Sequence, residues 1–149
     1  MAMQAQQAAG RPPPSIFDIP DKPSREQVLL LLRQNVDLSG LDLSGLDLSG
    51  VPFFKAQLVR TNFEACNLSG AVLVGANLHY AKFAGADLTG ADLSDSHLQG
   101  SDFQDCNLSG AVFVGANLWY ATYARANLTG TQTNKIGIFS SGANFFDTN

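Results

Sequence analysis

The chain has 149 residues, enough for one domain, and 45% of them are hydrophobic, which is ample for one core. Charged residues make up only 15% and the formal net charge is -4, which argues against a general binder of nucleic acids or anionic membranes, because both functions need clustered Lys and Arg. The sequence opens without a signal segment, and no later stretch is long enough to span a membrane. We therefore expect a cytoplasmic protein with no direct nucleic-acid binding and no membrane contact.

Residues 1–23 show no hydrophobic periodicity and contain five prolines. This composition predicts a flexible N-terminal arm. Pro12, Pro13 and Pro14 favour the polyproline II conformation, which can bind an aromatic groove, although such a tract is more often a linker.

Residues 24–35 are predicted to form a short capping helix. Ser24 and Gln27 fit a capping box, in which the Ser24 hydroxyl accepts a hydrogen bond from the Gln27 amide while the Gln27 side chain bonds back. Four consecutive leucines, Leu29 to Leu32, are too many for one helical stripe, so the helix must lie on an apolar surface. The open end of a stack of repeats is such a surface, and we expect the helix to cover it.

A five-residue period governs the chain from Val36 onward. Two positions before each centre comes a small residue, often Ala, and one position before it usually comes Asp or Asn. Ser or Thr and then Gly commonly follow the centre. None of the centres is charged. They are Leu38, Leu43, Leu48, Phe53, Leu58, Phe63, Leu68, Leu73, Leu78, Phe83, Leu88, Leu93, Leu98, Phe103, Leu108, Phe113, Leu118, Tyr123 and Leu128.

This period predicts a solenoid. The periods of a helix and of a strand drift out of phase with a period of five within a few repeats. If each pentapeptide instead forms one side of a coil and a turn, every centre and every preceding small residue can point inward, and Gly suits the corners.

The number of sides follows from an internal duplication. The segment "CNLSGAVLVGANLHYA" begins at Cys66 and "CNLSGAVFVGANLWYA" begins at Cys106, a shift of eight pentapeptides. Two, four or eight sides are compatible with that shift. Four sides fill the interior at normal packing density, whereas two leave little interior and eight leave a void.

The segments "ADLTGADLSDS", "CNLSGAVLVGANL" and "ANLTG" resemble the pentapeptide-repeat family, whose pattern is A(D/N)LXX. The resemblance covers Val36 to about Thr131 and implies a right-handed quadrilateral β-helix of about five coils. We therefore expect an all-β solenoid over residues 36–140, preceded by the capping helix. Members include cytoplasmic and lumenal proteins of photosynthetic bacteria, which implies a bacterial protein, and a fluoroquinolone-resistance group that resembles DNA and binds DNA gyrase.

Residues 141–149 are predicted to form a C-terminal cap or tail. Phe139, Phe145 and Phe146 fold over the last coil or pair with a second copy, and we expect capping.

The two cysteines, Cys66 and Cys106, fall at inward positions two coils apart. That separation is about 9.6 Å, beyond the ~7 Å limit for a disulfide, so we expect two buried thiols.

The two histidines, His79 and His97, fall at outward positions on one side of the coil. Asp95 and Asp102 are near His97 in sequence but should point away from it, because they belong to other sides. We therefore expect no catalytic, cofactor-binding or metal-binding site and no enzymatic activity. The aspartates of the run "LDLSGLDLSGLDLSG" project from three different sides and are interpreted as turn and solubility residues: Asp37, Asp42 and Asp47.

An apolar surface is the feature that the period does not explain. We number the four sides by their first centres: Leu38 on side 1, Leu43 on side 2, Leu48 on side 3 and Phe53 on side 4. Outward positions on sides 4 and 1 carry large apolar and aromatic residues, which interfaces enrich. We predict that this surface binds an unknown protein partner or a second copy, as a homodimer; the exposure of β-branched residues in strands is the alternative explanation. The surface, called the corner patch below, consists of Phe54, Val72, Val74, His79, Tyr80, Val112, Val114, Trp119 and Tyr120.

The resemblance also gives an alternative function, a DNA-mimic modulator of DNA gyrase. Residues 36–140 contain nine acidic and five basic residues, and a modest acidic cluster spans several sides. Many equivalent positions carry neutral Asn, for example Asn67 and Asn107, so we prefer the protein-binding function. The cluster comprises Asp87, Asp92, Asp95, Asp102 and Asp105.

Overall fold

The computed structural model describes residues 18–133. Its helix, α1, runs from Arg25 to Arg33 and begins with the predicted capping box. The Gln27 amide donates to Ser24 Oγ at 3.3 Å, and the Ser24 amide donates to Gln27 Oε1 at 2.7 Å. The predicted arm of residues 1–23 falls largely outside the described residues, and so do Pro12 to Pro14 and the C-terminal phenylalanines.

After α1 the chain forms a coil held by isolated β-bridges rather than by long strands. The bridges run from Asp42 to Gln132, all are parallel, and each joins residues 20 positions apart, as in Asp42 with Asn62. Four pentapeptides therefore complete one turn of the coil, as the duplication predicts. The bridge between Val112 and Gln132 extends the period slightly beyond the last centre recognised in the sequence.

Each pentapeptide contributes both a turn and inter-coil hydrogen bonds, as the repeat centred on Leu68 shows. The amide of Ala71 donates to the Leu68 carbonyl at 3.0 Å, which closes a turn with Gly70 at a φ of 64°. This is the geometry of a type II turn, whose third residue needs a positive φ. The Leu68 and Gly70 amides donate to the carbonyls of Asp87 and Thr89 of the next coil at 2.7 and 2.9 Å.

The interior is a stack of the predicted centres. On side 2 the rings of Phe63, Phe83, Phe103 and Tyr123 lie parallel, with successive centroids 5.2, 4.9 and 5.3 Å apart. These separations are close to the spacing of about 4.8 Å between neighbouring strands. Each ring therefore packs against its own equivalent one coil away, and all four residues are 0% exposed.

Two polar residues at inward positions, each two residues before a centre, bond to a carbonyl of the preceding coil. Thr61 Oγ1 donates to the Leu38 carbonyl at 2.9 Å, and Ser101 Oγ donates to the Leu78 carbonyl at 3.0 Å. The two cysteine thiols replace these hydroxyls elsewhere, with Sγ atoms 2.9 and 2.6 Å from the carbonyls of Leu43 and Phe83. These buried hydrogen-bonding groups are thus satisfied without interrupting the stack.

Helix α1 lies on the first coil. Val28 and Leu31 are buried in the same core as the coil centres. The Arg25 guanidinium donates to the carbonyls of Asp47 at 2.8 Å and Ser49 at 3.1 Å. These two carbonyls belong to the first coil, which has no preceding coil to supply donors, so Arg25 satisfies part of an exposed sheet edge.

Candidate interaction surface

The corner patch accounts for most of the exposed large hydrophobic side chains. Among residues 18–133 there are seven such side chains, and six of them are in the patch. The seventh, Leu30, lies on α1. The remaining patch residues, Val74, His79 and Val112, are half-buried. The patch is therefore an outward, largely apolar corner of the coil. The six exposed residues are Phe54, Val72, Tyr80, Val114, Trp119 and Tyr120.

A more polar coil separates the two duplicated apolar groups of the patch. Val72 bridges Asp92, and Asp92 bridges Val112, so a charged residue separates the two valines along the axis. The duplicated apolar groups are consequently two coils apart, about 9.6 Å. The patch thus presents two similar apolar elements with a more polar strip between them.

Tyr80 reaches across this strip. A Cβ atom placed on Gly100, the equivalent position one coil later, would lie 2.5 Å from both Cδ1 and Cε1 of Tyr80. The Cδ1–Cε1 edge of the Tyr80 ring therefore packs against Gly100, and a side chain at that position would force the ring to move. The Arg60 guanidinium lies over the Tyr80 ring at 5.6 Å from the ring centroid, a cation–π contact.

Both corner tyrosines occupy a backbone conformation that disfavours them. Tyr80 and Tyr120 have φ values of 58° and 60°, the left-handed region in which glycine is preferred. The left-handed conformation costs a non-glycine residue roughly 1–2 kcal/mol. Other corners of the coil accept small or charged residues in the same conformation, but bulky aromatic rings at two equivalent corners favour a role beyond the fold.

A groove extends the patch toward α1. It encloses about 460 Å³, and its apolar lining includes Leu32, Val36, Pro52 and Phe54. Lys55 contributes a charge at its edge and lies 5.1 Å from the Phe54 centroid. The sequence analysis missed this groove because it depends on where the end of α1 places Leu32 relative to the coil, which no local pattern determines.

The two histidines are well separated in sequence but meet on consecutive coils. The rings of His79 and His97 stack with centroids 5.8 Å apart and an angle of 22° between their planes. Asp102, which is near His97 in sequence, has other partners: its Oδ1 accepts hydrogen bonds from the Gln104 amide and the Thr122 hydroxyl. Within residues 18–133 no group of three His, Cys, Asp or Glu residues is placed to hold a metal ion.

The two cysteine thiols lie inside the coil and are protonated at neutral pH. Cys66 and Cys106 are free and buried. Burial raises the pKa of the Cys66 thiol to about 11 and that of Cys106 to about 12. Because the thiolate is the reactive form, neither cysteine is set up as a nucleophile at neutral pH.

The acidic cluster is partly neutralised by its neighbours. Arg125 forms a bidentate pair with Asp105, with Nε to Oδ1 at 2.6 Å and an Nη atom to Oδ2 at 2.9 Å. The hydrogen bonds from Arg125 hold the pKa of Asp105 below its usual value. Asp87 and Asp92 each accept hydrogen bonds from the residue two positions later, Thr89 and Ser94, as do the aspartates of the first coil. These contacts agree with the predicted role of the early aspartates in turns.

A four-sided coil built from five-residue repeats defines a β-helical repeat protein. A model of the pentapeptide-repeat family matches residues 56–95 and 91–131, with eight copies of the repeat. The matched span, residues 56–131, is just over half of the 149-residue chain. The chain belongs to the pentapeptide-repeat family.

Solved structures of pentapeptide-repeat proteins resemble this fold. Rfr23 from the cyanobacterium Cyanothece 51142 is 28% identical with a TM-score of 0.50, and the match covers 61% of this chain and 57% of that one. A protein from the Arabidopsis thaliana thylakoid lumen is 25% identical with a TM-score of 0.44, covering 95% of this chain and 70% of that one. QnrB1, a plasmid-mediated fluoroquinolone resistance protein, is 23% identical with a TM-score of 0.40, covering 65% and 62% respectively.

The chain thus spans somewhat more than half the length of the Rfr23 chain that it matches. No curated protein sequence matches it significantly. In the part of the chain from residue 18 to residue 133, no helix has both the length and the apolarity to cross a membrane.

Proposed function

We propose that this protein is a non-enzymatic protein-binding module that uses the corner patch as its docking surface. The observation that carries the proposal is the concentration of six of the seven exposed large hydrophobic side chains of residues 18–133 on this corner. Aromatic residues in a contiguous apolar surface are the side chains that most often dominate binding energy.

The arrangement of the patch also fits a binding role. Trp119 and Tyr120 lie edge to face with centroids 6.2 Å apart, so each ring restrains its neighbour. A rigid aromatic pair loses little conformational entropy when a partner covers it. The two buried thiols have raised pKa values, so neither is an activated nucleophile at neutral pH.

The test of this function compares patch variants with a variant on another side of the coil. We expect Trp119→Ala and Val114→Asp to reduce capture of partners from lysate of the source cell, or self-association, at least tenfold. Because both side chains are exposed, the thermal unfolding midpoint should hardly change. Asn107→Ala on side 3 is the control and should leave capture intact. Equal capture by all three variants would refute the docking surface.

We further propose that α1 caps a right-handed rod of about five coils over residues 36–140. The Arg25 hydrogen bonds to the carbonyls of Asp47 and Ser49 support this role, because they cover a sheet edge that would otherwise invite pairing. Deleting residues 1–23 should leave the protein monodisperse, whereas deleting residues 1–34 should cause aggregation in light scattering. A monodisperse product of the longer deletion would show that α1 is not the cap.

The gyrase alternative has weaker support. Asp87, Asp92 and Asp95 are outward carboxylates on neighbouring sides, as a DNA mimic needs, but Asp105 is neutralised by Arg125. A gyrase supercoiling assay, with and without a fluoroquinolone, separates the two functions. Inhibition or protection that survives Trp119→Ala but is lost on Asp92→Asn would favour the DNA mimic over the protein-binding module.

A further inference from the structure

Side 4 carries opposite charges at different levels of the coil. Its repeats in the first four coils are centred, in order, on Phe53, Leu73, Leu93 and Phe113. The first of these repeats ends in Lys55, and Arg33 at the end of α1 lines a pocket with Pro52. The third repeat carries Asp92 and Asp95. None of these four charged side chains forms an ion pair within residues 18–133, so side 4 offers a basic level and an acidic level to a partner.

The charged atoms of Lys55 and Asp95 lie near the two ends of this side. The Lys55 side chain passes over Gly75, and its Nζ lies 5.1 Å from the centroid of the Phe54 ring in the first coil. Asp95 leans the other way from the first coil, and its Oδ1 occupies the space that a Cβ atom on Gly115 would need. The ammonium group is thus beside a first-coil ring, and the carboxylate is beside the fourth coil.

Two copies can face each other across this side in two closed arrangements. A two-fold axis parallel to the coil axis sets each level opposite itself, so that the Asp92 and Asp95 carboxylates of both copies meet. A two-fold axis that lies in the interface and crosses the coil axis at a right angle reverses the order of the coils. When the first coil faces the fourth, Lys55 of each copy meets Asp95 of the other. Charge complementarity therefore favours the antiparallel arrangement.

The same antiparallel register matches the apolar residues of side 4. The fourth coil presents Val112 and Val114, and the first coil presents Pro52 and Phe54. Because this rotation keeps each column of side chains opposite itself, Val112 faces Pro52 and Val114 faces Phe54. Phe54 is 58% exposed and Val114 is 38% exposed, so both have apolar surface to bury. The acidic third coil faces the second, whose side-4 repeat is uncharged, so like charges are not opposed.

One level further along, the register sets an exposed tryptophan opposite a groove. Trp119 follows the fourth coil on side 1 and is 52% exposed. In the reversed copy this level falls on the α1 side of the first coil, where the groove of about 460 Å³ lies. The groove is lined by Leu32, Val36 and Phe54, and it extends onto side 1 at Gln57. Its volume is in the range of pockets that hold small molecules, and tryptophan is enriched among residues that dominate binding energy.

From these observations we infer that the corner patch binds a second copy of this chain in an antiparallel, two-fold arrangement. Trp119 of each copy enters the groove of the other, and Lys55 of each copy pairs with Asp95 of the other. The inference rests on the proposed function, since it names the occupant of the same docking surface. Because every contact occurs twice, the arrangement closes as a dimer.

The first experiment exchanges the two charges and measures self-association by analytical ultracentrifugation. Lys55 and Asp95 both have left-handed φ values, 54° and 56°, so each corner accepts the other residue. Lys55→Asp sets two carboxylates opposite each other at both contacts, and Asp95→Lys sets two ammonium groups there. Each variant alone should dimerise at least tenfold more weakly than the wild-type chain. An equimolar mixture of the two should form heterodimers about as tightly as the wild type, because both contacts then join opposite charges.

The second experiment uses the fluorescence of Trp119, which is the one tryptophan of the chain. As the protein concentration rises and dimers form, its emission maximum should move to shorter wavelength, because the indole leaves water for an apolar groove. Phe54→Ala removes part of the groove lining, so it should weaken dimerisation at least tenfold and shift the emission change to higher concentration. Asn107→Ala on side 3 is the matched control and should leave both measurements unchanged.

The possible results separate the parts of the inference. A chain that stays monomeric at every soluble concentration would overturn the second copy as the occupant. A mixture of the charge variants that associates no better than either variant alone would overturn the antiparallel register. Dimerisation without a change in Trp119 emission would overturn the groove contact. If the chain is monomeric while Trp119→Ala still abolishes capture of a different protein, the occupant is wrong and the docking surface stands.

Discussion

Side 3 and the corner patch are built on the same backbone and present opposite surfaces. On side 3 the residue before the centre is always Asp or Asn, the residue after it is Ser or Thr, and the corner is Gly in every coil. Where the two polar side chains meet they often bond each other, as in Ser69 Oγ to Asn67 Oδ1 at 2.7 Å. The corner patch replaces these residues by Val, Trp and Tyr.

The backbone hydrogen bonds between coils are the same under both surfaces. On side 3 the Leu68 amide donates to the Asp87 carbonyl at 2.7 Å, and on side 4 the Leu73 amide donates to the Asp92 carbonyl at the same distance. The coil therefore forms equally well under a polar surface and under an apolar one. Because the fold does not need the apolar side chains of the patch, their presence calls for a functional explanation.

We expect the largest loss of stability from a substitution in the shared interior, and a much smaller loss from a substitution in the patch. Phe83 is 0% exposed and stacked between two rings, whereas Phe54 in the patch is 58% exposed. We expect Phe83→Ala to lower the free energy of unfolding by about 3–5 kcal/mol and Phe54→Ala by no more than ~1 kcal/mol. Urea unfolding followed by circular dichroism measures both. Similar losses would mean that the patch is part of the core.

The next largest effect concerns the thiols that lie beneath side 3. With pKa values of about 11 and 12, compared with 9.0 for a free thiol, Cys66 and Cys106 carry far less thiolate in the folded state. We expect a bulky maleimide at pH 8 to react at least ~100-fold more slowly in native buffer than in urea. Since folding favours the neutral thiol, stability should also fall as the pH rises above 9. Rapid native labelling, followed by mass spectrometry, would contradict the inward assignment.

A smaller effect should have opposite signs at the two kinds of corner. Gly110 on side 3 has a φ of 67° with open space around its Cα, so Gly110→Ala meets only backbone strain and should cost about 1 kcal/mol. Tyr120→Gly removes such strain, and the greater entropy of the unfolded chain offsets part of the gain. We expect the thermal midpoint to fall for the first variant and to stay level or rise for the second. A clear fall for Tyr120→Gly would show that its ring supports the fold.

The smallest effect is the pH dependence of the exposed ion pair on side 2. Arg125 lowers the pKa of Asp105, so this pair stabilises the folded state above the ordinary pKa of an aspartate and loses that contribution as the pH falls through the lowered value. Both side chains are 48% exposed, so the contribution is small. The wild-type midpoint should fall slightly more than that of Asp105→Asn between pH 6 and pH 3. Parallel curves would show that the pair contributes nothing measurable.

Several features could be predicted because they repeat. The centres, the buried cysteines and the four sides all follow from a period of five and from the duplication that begins at Cys66 and Cys106, since a strict repeat constrains every coil at once. The capping box at Ser24 and Gln27 was equally local and was confirmed. The outward position of the patch residues followed from the same register.

Other features depend on contacts between coils, and no repeat encodes them. His79 follows its centre whereas His97 precedes its centre, so their stacking is not set by the repeat. The packing of Tyr80 against Gly100 depends on the rotamer of one side chain. The groove between Leu32 and Phe54 depends on the docking angle of α1. The sequence by itself determined which side chains face inward, because the period sets the register of the whole stack. Only the tertiary structure decided which outward side chains touch, because that depends on rotamers and on neighbours in the adjacent coil.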